Sequence, residues 1–594
     1  MKDPQLTRRQ FGKSLAGILV SFTLTPELAW ADAALPGNLG NAPMLDAWLR
    51  IDPDGSVTIF TGKVELGQGV LTALAQIAAE ELDVKLARIR MVSGDTAQTP
   101  DEGYTSGSQS IEYGGTALRF ACAEGRAILI EKTSATLGVP ADKLKTTSGE
   151  IRADDGRKLT YGEIAEAGMF HRAATAKAPP KPPAVHSIVG ASVQRLDIPA
   201  KVTGGPAYVQ DLRMPGMVFG RIVRPPGPRD SLEQIDIASV KSMPGVVSVV
   251  RDGSFLGVVA VREEQAIKAS EALRGSAKWQ ALTDLPESDK IHAWLRTQPS
   301  EDSVVNEKQA EAPSPAVQRL EATYTKRYVA HASLGPSCAV ALMKNGRLRD
   351  SLAKVMKLDP KSVTISHVEG AGCYGHNGAD DAALDAALLA RSAPGRPVKL
   401  QWMRDDEFAW EPYGSAMVMK LSAGLGADGG IVFWQHELWS NVHSSRPGRA
   451  GGVNLLAAWH LATPSAPAQG WSGGEDRNAV PLYDFPNQKI IRHLVRDMPL
   501  RTSALRTLGA YGNVFALESF LDEVAGAAKA DPVEFRLRYM KDPRARAVIE
   551  TAAAKAGWKP GGKSDGIHGR GIGFAKYKNL ACYVACVADV SVDR

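Results

Sequence analysis

The chain has 594 residues, 44% hydrophobic and 23% charged, with a net charge of +5. That length exceeds the roughly 250–300 residues one core supports, so two or more domains are expected, and the composition is globular, not disordered. Five cysteines without a CxxC pair leave no thiol cluster for a plant-type iron–sulfur centre and no disulfide framework, and no Lys/Arg run follows residue 31, so nucleic acid is not an expected partner.

Residues 1–31 read as a leader. Arg8-Arg9-Gln10-Phe11 precedes an apolar run from Leu15 to Leu24, and Ala29-Trp30-Ala31 offers a cleavage site. The run is too short to span a bilayer, and the paired arginines resemble a twin-arginine export signal. The expectation is a periplasmic protein not integral to the membrane. The leader carries four basic and two acidic residues, which leaves +3 for the rest.

Residues 46–60 alternate apolar and polar side chains on either side of Pro53-Asp54-Gly55, the pattern of a β-hairpin. Helical periodicity covers Val70 to Leu82, and an Ala-rich helix is expected over 115–138. The four prolines at 179, 180, 182 and 183 make 176–190 a stiff linker, closing a first segment at 46–175. From 191 to 297, short apolar runs and a helix beginning at Glu263 suggest an α+β unit. A polar stretch at 298–318 reads as a second linker, and 319–594 as a large α+β domain. The overall class is α+β and multi-domain. Cys582 and Cys586 fall on one face of an apolar run and read as packing residues.

Four segments carry possible chemistry. Gly62-Lys63-Val64-Glu65-Leu66-Gly67-Gln68-Gly69 lies between a strand and a helix, where free amides favour an anion and Gln68 can donate and accept. It lacks the Gly-Lys-Ser/Thr ending of a P-loop. Thr105, Ser106, Gly107, Ser108 and Ser110 form a hydroxyl-rich run before a helix, either a phosphate contact or a plain cap. Gly370, Gly372, Cys373 and Gly375 lie in a glycine-rich run opening a helix, with Asp380 and Asp381 as helix-dipole residues and His376 a less favoured metal ligand. Arg506, followed by Gly509, could clamp a phosphate or carboxylate. The helix after it carries Glu518, Asp522 and Glu523, read as a solvated face. Neither a Ser-His-Asp signature nor zinc spacing competes.

In this order, the motifs resemble the molybdenum-binding subunit of the xanthine dehydrogenase and aldehyde oxidase superfamily, in its exported isoquinoline 1-oxidoreductase and aldehyde dehydrogenase branch. Lys63–Gly69 resembles the family loop whose glutamine contacts the cofactor. Thr105–Ser110 resembles its pterin and phosphate loop, and Gly370–Asp381 the glycine loop near molybdenum. Arg195-Leu196-Asp197, Lys201-Val202-Thr203-Gly204, Asp211-Leu212 and Pro215-Gly216-Met217 resemble the start of its hammerhead domain, and Arg396-Pro397-Val398-Lys399 to Arg404 and Glu407, with Arg506-Thr507-Leu508-Gly509, complete the series. The resemblance implies a cofactor site at Gly67, Gln68, Gly69, Thr105, Ser106, Gly107, Ser108, Ser110, Gly370, Gly372, Cys373, Gly375, Arg506 and Gly509.

The implied cofactor is molybdopterin cytosine dinucleotide, with the metal held by the pterin dithiolene and no protein metal ligand. The implied reaction hydroxylates an aldehyde or aromatic N-heterocycle with water. The implied partners are a small [2Fe–2S] subunit and a cytochrome electron acceptor. Two departures accompany the resemblance. About a dozen family residues, among them a glutamine expected near molybdenum, are missing between Leu348 and the helix beginning near Arg349. The sequence is also expected to stop before the family's late Gly-x-Gly-Glu segment, so no catalytic residue is assigned. The rival readings are a non-catalytic truncated homologue and a periplasmic binding protein for an anionic ligand.

Overall fold

The computed structural model describes residues 34–593, apart from 167, 312–313, 343–348, 448–452, 466–472 and 562–564. The leader and Asn345–Leu348 lie outside the described residues. The chain forms two compact units. The first comprises residues up to Ile59, Leu74–Arg90 and Ser108–Gly190; the second comprises Phe60–Ala73, Met91–Gly107 and Ala191 onward.

In the first unit the expected hairpin forms, with Leu49 opposite Ile59 and Ile51 opposite Val57. The first helix spans Val70–Leu82 and the second Thr116–Leu137, the latter entered through a π-turn at Ser110–Gly115 and ended by Gly138 in the left-handed conformation. Cys122 is buried in the second helix. The Pro-rich stretch 176–190 is strapped down by two carboxylates. Glu80 Oε2 accepts from the amides of Ser187, Ile188 and Val189 at 2.9, 2.6 and 3.0 Å, and Glu81 accepts from Lys181 N and from Arg119 Nε, both at 3.0 Å. Charged acceptors make the stronger hydrogen bonds, about 1.5–3 kcal/mol each. Glu80→Ala is therefore expected to release this strap, read as new cleavage near 181–189 in limited proteolysis; an unchanged digest would refute the assignment.

The second unit holds two five-stranded sheets. In the first, the order is Cys338–Ala341, Val398–Gln401, Val218–Val223, Phe255–Ala260, Val246–Asp252. The second contact, with Val398 opposite Val218, is parallel; the others are antiparallel. This sheet does not stop at residue 297, because two of its strands come from beyond it. Both faces are covered. Ile222 and Val259 meet Leu384 and Leu389 of the helix Ala379–Ala390, while Val223 and Val258 meet Ala269 and Leu273 of the helix Glu263–Ser276. Gly220 and Gly257 leave the hollow that Leu389 fills: a Cβ at either would lie 2.6 or 2.9 Å from its methyl groups.

The second sheet runs Ser300–Lys308, Gln488–Val495, Ile431–Ser440, Met417–Leu425, Gln318–Lys326. Met417, Met419, Leu421 and Ala423 occupy alternate positions and pack with Phe520, Leu521 and Val524 of the helix Ala510–Ala527. Three expectations are corrected here. The polar stretch 298–318 is no linker: Ser300–Lys308 is an edge strand joined to Gln488–Val495 by backbone bonds, which polar side chains permit. Cys582 and Cys586 are exposed: Cys586 stands on the outer face of the hairpin His568–Lys576/Tyr583–Ser591, and Cys582 lies just before its second strand. Glu518 is no solvated residue but lies buried against Arg536. Among the described residues no helix is long and apolar enough to cross a membrane.

Candidate functional site

The four loops singled out by sequence can be traced within the second unit, except for Ser108 and Ser110, which belong to the first. The glycine loop at 62–69 is tied to residues 102–105. Glu102 Oε2 accepts from Thr61 Oγ1 at 2.6 Å and Gly62 N at 2.7 Å; Lys63 Nζ, fully buried, donates to the carbonyls of Glu102 at 2.6 Å and Tyr104 at 3.1 Å; Val64 N donates to Thr105 Oγ1 at 3.0 Å. Burial pulls the Lys63 ammonium below its ordinary value.

The amides of the loop already have an acceptor. Glu65 Oε1 accepts from Gly67 N at 3.0 Å and Gly69 N at 2.7 Å, and Oε2 from Leu71 N at 3.3 Å. Gln68 folds back on its own loop, accepting from Leu66 N at 2.5 Å and donating to Val64 O at 3.1 Å. The anion expected at this helix start is thus supplied by the chain itself. Gly67 and Gly69 have φ of 97° and 79°, a region that glycine tolerates. The acid between glycines was the available sequence signal for this self-capping, and the sequence reading passed over it.

The loop next meets the third motif's approach. His367 Nε2 lies 3.1 Å from Glu65 O, His367 N donates to Gly94 O at 3.0 Å, and Ser366 Oγ donates to Asp95 at 2.6 Å. Glu369 shares Lys201 with Asp197, at 2.7 and 2.5 Å, and Arg195 bridges Asp197 and Glu65 at 2.6 and 3.6 Å. Arg195 beside Asp197 holds that carboxyl well below the usual range. The acidic trio Glu65, Asp197 and Glu369 is therefore bridged by two cations, Arg195 and Lys201, which offset two of its three charges.

The third and fourth motifs clasp each other. Gly375 forms an antiparallel bridge with Leu505, His376 N donates to Ala504 O at 2.7 Å, and Arg506 N donates to Tyr374 O at 2.7 Å. Tyr374, Thr507 and Leu508 all adopt positive φ, of 54°, 75° and 56°. Strain of this kind persists only where the surroundings fix it. Gly375 and Gly509 are required by close approach: a Cβ would lie 1.8 Å from Ala504 O at the first and 2.1 Å from Glu475 O at the second. The Arg506 side chain is exposed. Asp381, expected as a dipole residue, is instead buried and held by Arg501 at 2.5 Å, and Asp380 lies 3.0 Å from His376 Nε2.

A cavity of about 480 Å³ opens beside these loops, lined by Leu66, Ser337, Gly370, Gly372, Cys373 and Asp380 among others. At Gly67 and Gly370 nothing lies within 4 Å of where a Cβ would stand. The Gly67 amide is bonded to Glu65, but Gly370 lines the cavity with open space at its Cβ position, which leaves room for a ligand to approach its main chain. Behind Ser337 sits Glu407, accepting from Ser337 N at 2.8 Å and Ser337 Oγ at 3.0 Å. Burial, with the Glu411 carboxylate nearby, pushes the Glu407 carboxyl up to about 7. The folded state binds this proton more tightly than the unfolded chain does. Its contribution is therefore whole below pH 4.5 and is lost as pH rises to about 7. Glu407→Gln is expected to remove a fall of on the order of 3 kcal/mol across that window. Urea midpoints at the two ends check it, and an unchanged pH slope would count against it.

A profile described as a molybdopterin cofactor-binding domain matches residues 7–186, and a second of the same description matches 299–463. A nicotinate dehydrogenase subunit of Pseudomonas putida is 37% identical over 93% of this chain and 48% of its own length. The chain belongs to the molybdopterin-binding large subunits of the molybdenum hydroxylases. The beta subunit of isoquinoline 1-oxidoreductase from Brevundimonas diminuta is similar at 26% identity, over 92% of this chain and 77% of that one. The aldehyde oxidoreductase of Desulfovibrio gigas shares the fold, with a TM-score of 0.50 at 18% identity over 63% of this chain and 48% of that one. The chain thus spans about half the length of the Pseudomonas relative. Sequence motifs include Glu65 and Glu407 but not their partners, and they leave out Glu102 and Arg446, because those partners lie far along the chain or carry no motif.

Proposed function

We propose that this subunit holds molybdopterin cytosine dinucleotide against the loops at 62–69, 103–107, 370–376 and 505–509. In this reading it takes part in hydroxylating an aldehyde or aromatic N-heterocycle. The observation that carries the reading is the mutual bonding of the first two loops and of the last two, with Leu66, Gly370 and Gly372 lining a common cavity. When bound, the cofactor would supply the two-electron oxidation in which water provides the oxygen and two protons and two electrons leave. The chain's own part is placement: bare glycine backbone at 370, the exposed glycine at 107 beside half-buried Ser106, and an apolar cavity wall for a planar substrate. The electrons would pass to a small [2Fe–2S] subunit and then a cytochrome, and the leader would direct the folded protein to the periplasm. Nicotinate, named by the Pseudomonas relative, is the first heterocycle to assay.

The test is co-expression with the iron–sulfur partner gene, followed by molybdenum analysis and release of cytidine monophosphate on acid treatment. Stoichiometric metal and nucleotide, with dye reduction by an aldehyde or a heterocycle, is the expected result. Folded protein without either would overturn it. That outcome would instead favour a non-catalytic homologue, a reading supported by Glu65 filling the amides of its own loop.

A further inference from the structure

We infer that Arg446 is the oxyanion-recognising residue of this site, taking a carboxylate or phosphate oxygen pair in its guanidinium fork; the inference rests on the cofactor-site reading above. Arg446 is half-buried at the seam between two of the loops. Its guanidinium lies over the Tyr104 ring, 5.7 Å from the centroid, and Nη2 makes one long contact of 3.4 Å with Gly375 O. Cys373 Sγ donates to that same carbonyl at 2.9 Å, and Cys373 lines the cavity. Tyr104 is fixed in turn, because its hydroxyl donates to Pro447 O.

Other arginines of this region have their donors taken: Arg404 donates to the carbonyls of Ser333 and Leu334 at 2.7 and 2.6 Å and Arg477 to the Tyr577 hydroxyl at 2.8 Å, and four more meet carboxylates. Arg224 pairs with Asp385, Arg492 with Glu475, Arg501 with Asp381 and Arg536 with Glu518. Among the described residues no carboxylate lies within 4 Å of Arg446, and Asp380, whose charge it feels, is committed to His376. A guanidinium carries five N–H donors in a rigid planar fork, and here one is used, weakly. Withdrawing such a group from water without a partner is unfavourable, and an oxyanion bound edge-on satisfies it while the Tyr104 face holds the plane. The oxyanion has two possible sources, a carboxylate on the substrate ring or a phosphate of the cofactor tail.

The experiment compares wild type, Arg446→Met and Arg446→Lys, all purified with the iron–sulfur partner. Calorimetry measures binding of nicotinate, of uncharged nicotinamide and of inorganic phosphate. Molybdenum content is measured on the same samples, so failure of the cofactor-site reading shows as metal-free wild type whatever the anion binding does. A substrate carboxylate is the source if wild type prefers nicotinate to nicotinamide by tenfold or more, Arg446→Met abolishes the preference, and molybdenum is retained. A cofactor phosphate is the source if Arg446→Met loses phosphate binding and molybdenum together while the nicotinate preference stands. In either case Arg446→Lys, with charge but no fork, restores only part. If Arg446→Met, shown folded by circular dichroism, keeps nicotinate preference, phosphate binding and metal at wild-type levels, the inference is wrong.

Discussion

Arg536→Met is expected to be the most damaging single charge change in this protein, costing about 3–5 kcal/mol, because it strands a buried carboxylate. Arg536 is fully buried and reaches four acceptors on three residues. Its Nε donates to Glu518 at 2.9 Å, Nη1 to Asp522 at 2.5 Å and to Pro532 O at 3.1 Å, and Nη2 to Glu518 O at 3.1 Å. Glu518 in turn accepts from Tyr483 at 2.8 Å and from Phe574 N at 2.9 Å. One ion pair thereby joins the helix Ala510–Ala527, the helix Pro532–Tyr539 and the strand His568–Lys576. Removing the cation leaves Glu518 without its counter-charge; changing both, as in Glu518→Gln with Arg536→Met, should recover a substantial part of the loss. Trp434, stacked on Phe485 in the same core, reports the unfolding by fluorescence. A urea midpoint for Arg536→Met within 1 kcal/mol of wild type, roughly the scale of exposed pairs, would refute the argument.

Gly375→Ala is the second large effect. The added methyl would meet Ala504 O at 1.8 Å and His331 Nε2 at 2.9 Å, at a φ of +149°. The carbonyl cannot yield without breaking the bridge to Leu505 or the 2.7 Å bond from His376 N. His331 cannot yield freely, since it is buried with Nδ1 3.5 Å from Glu411. The two loops must separate, at about 1–3 kcal/mol. If they hold the cofactor jointly, molybdenum content should fall tenfold or more. Gly370→Ala is the informative companion, because nothing stands within 4 Å of its Cβ position. It should leave the unfolding midpoint unchanged yet lower the metal content. Full metal in both variants would remove these loops from the cofactor site.

Much of this was legible in the sequence where periodicity or backbone freedom is the cause. The first helix runs Val70–Leu82 as its apolar spacing predicts, and the second begins at Thr116 with Ala117, Leu118 and Ala121 buried. The glycine motifs were visible because close approach admits no side chain at Gly375 or Gly509. What stayed hidden has a different origin. The strand Ser300–Lys308 is held by backbone bonds to residues almost 190 positions away, so its side chains carry no apolar pattern. Glu518 looked like one charge on a polar helix turn until Arg536 came round to face it. Glu65 was read as part of an anion-binding loop when it is itself the anion. Arg446 belongs to no motif; only the meeting of Tyr104 with Gly375 gives it a place.

The capping of the first loop by Glu65 has a thermodynamic corollary. A segment whose amides are satisfied from within keeps its shape before any guest arrives, so docking there extracts no ordering entropy from residues 64–71. The receptacle is rigid, and its affinity is governed by how well the guest complements it and not by how much chain must first be tamed. Emptied protein should accordingly resist proteases across this turn as well as filled protein does.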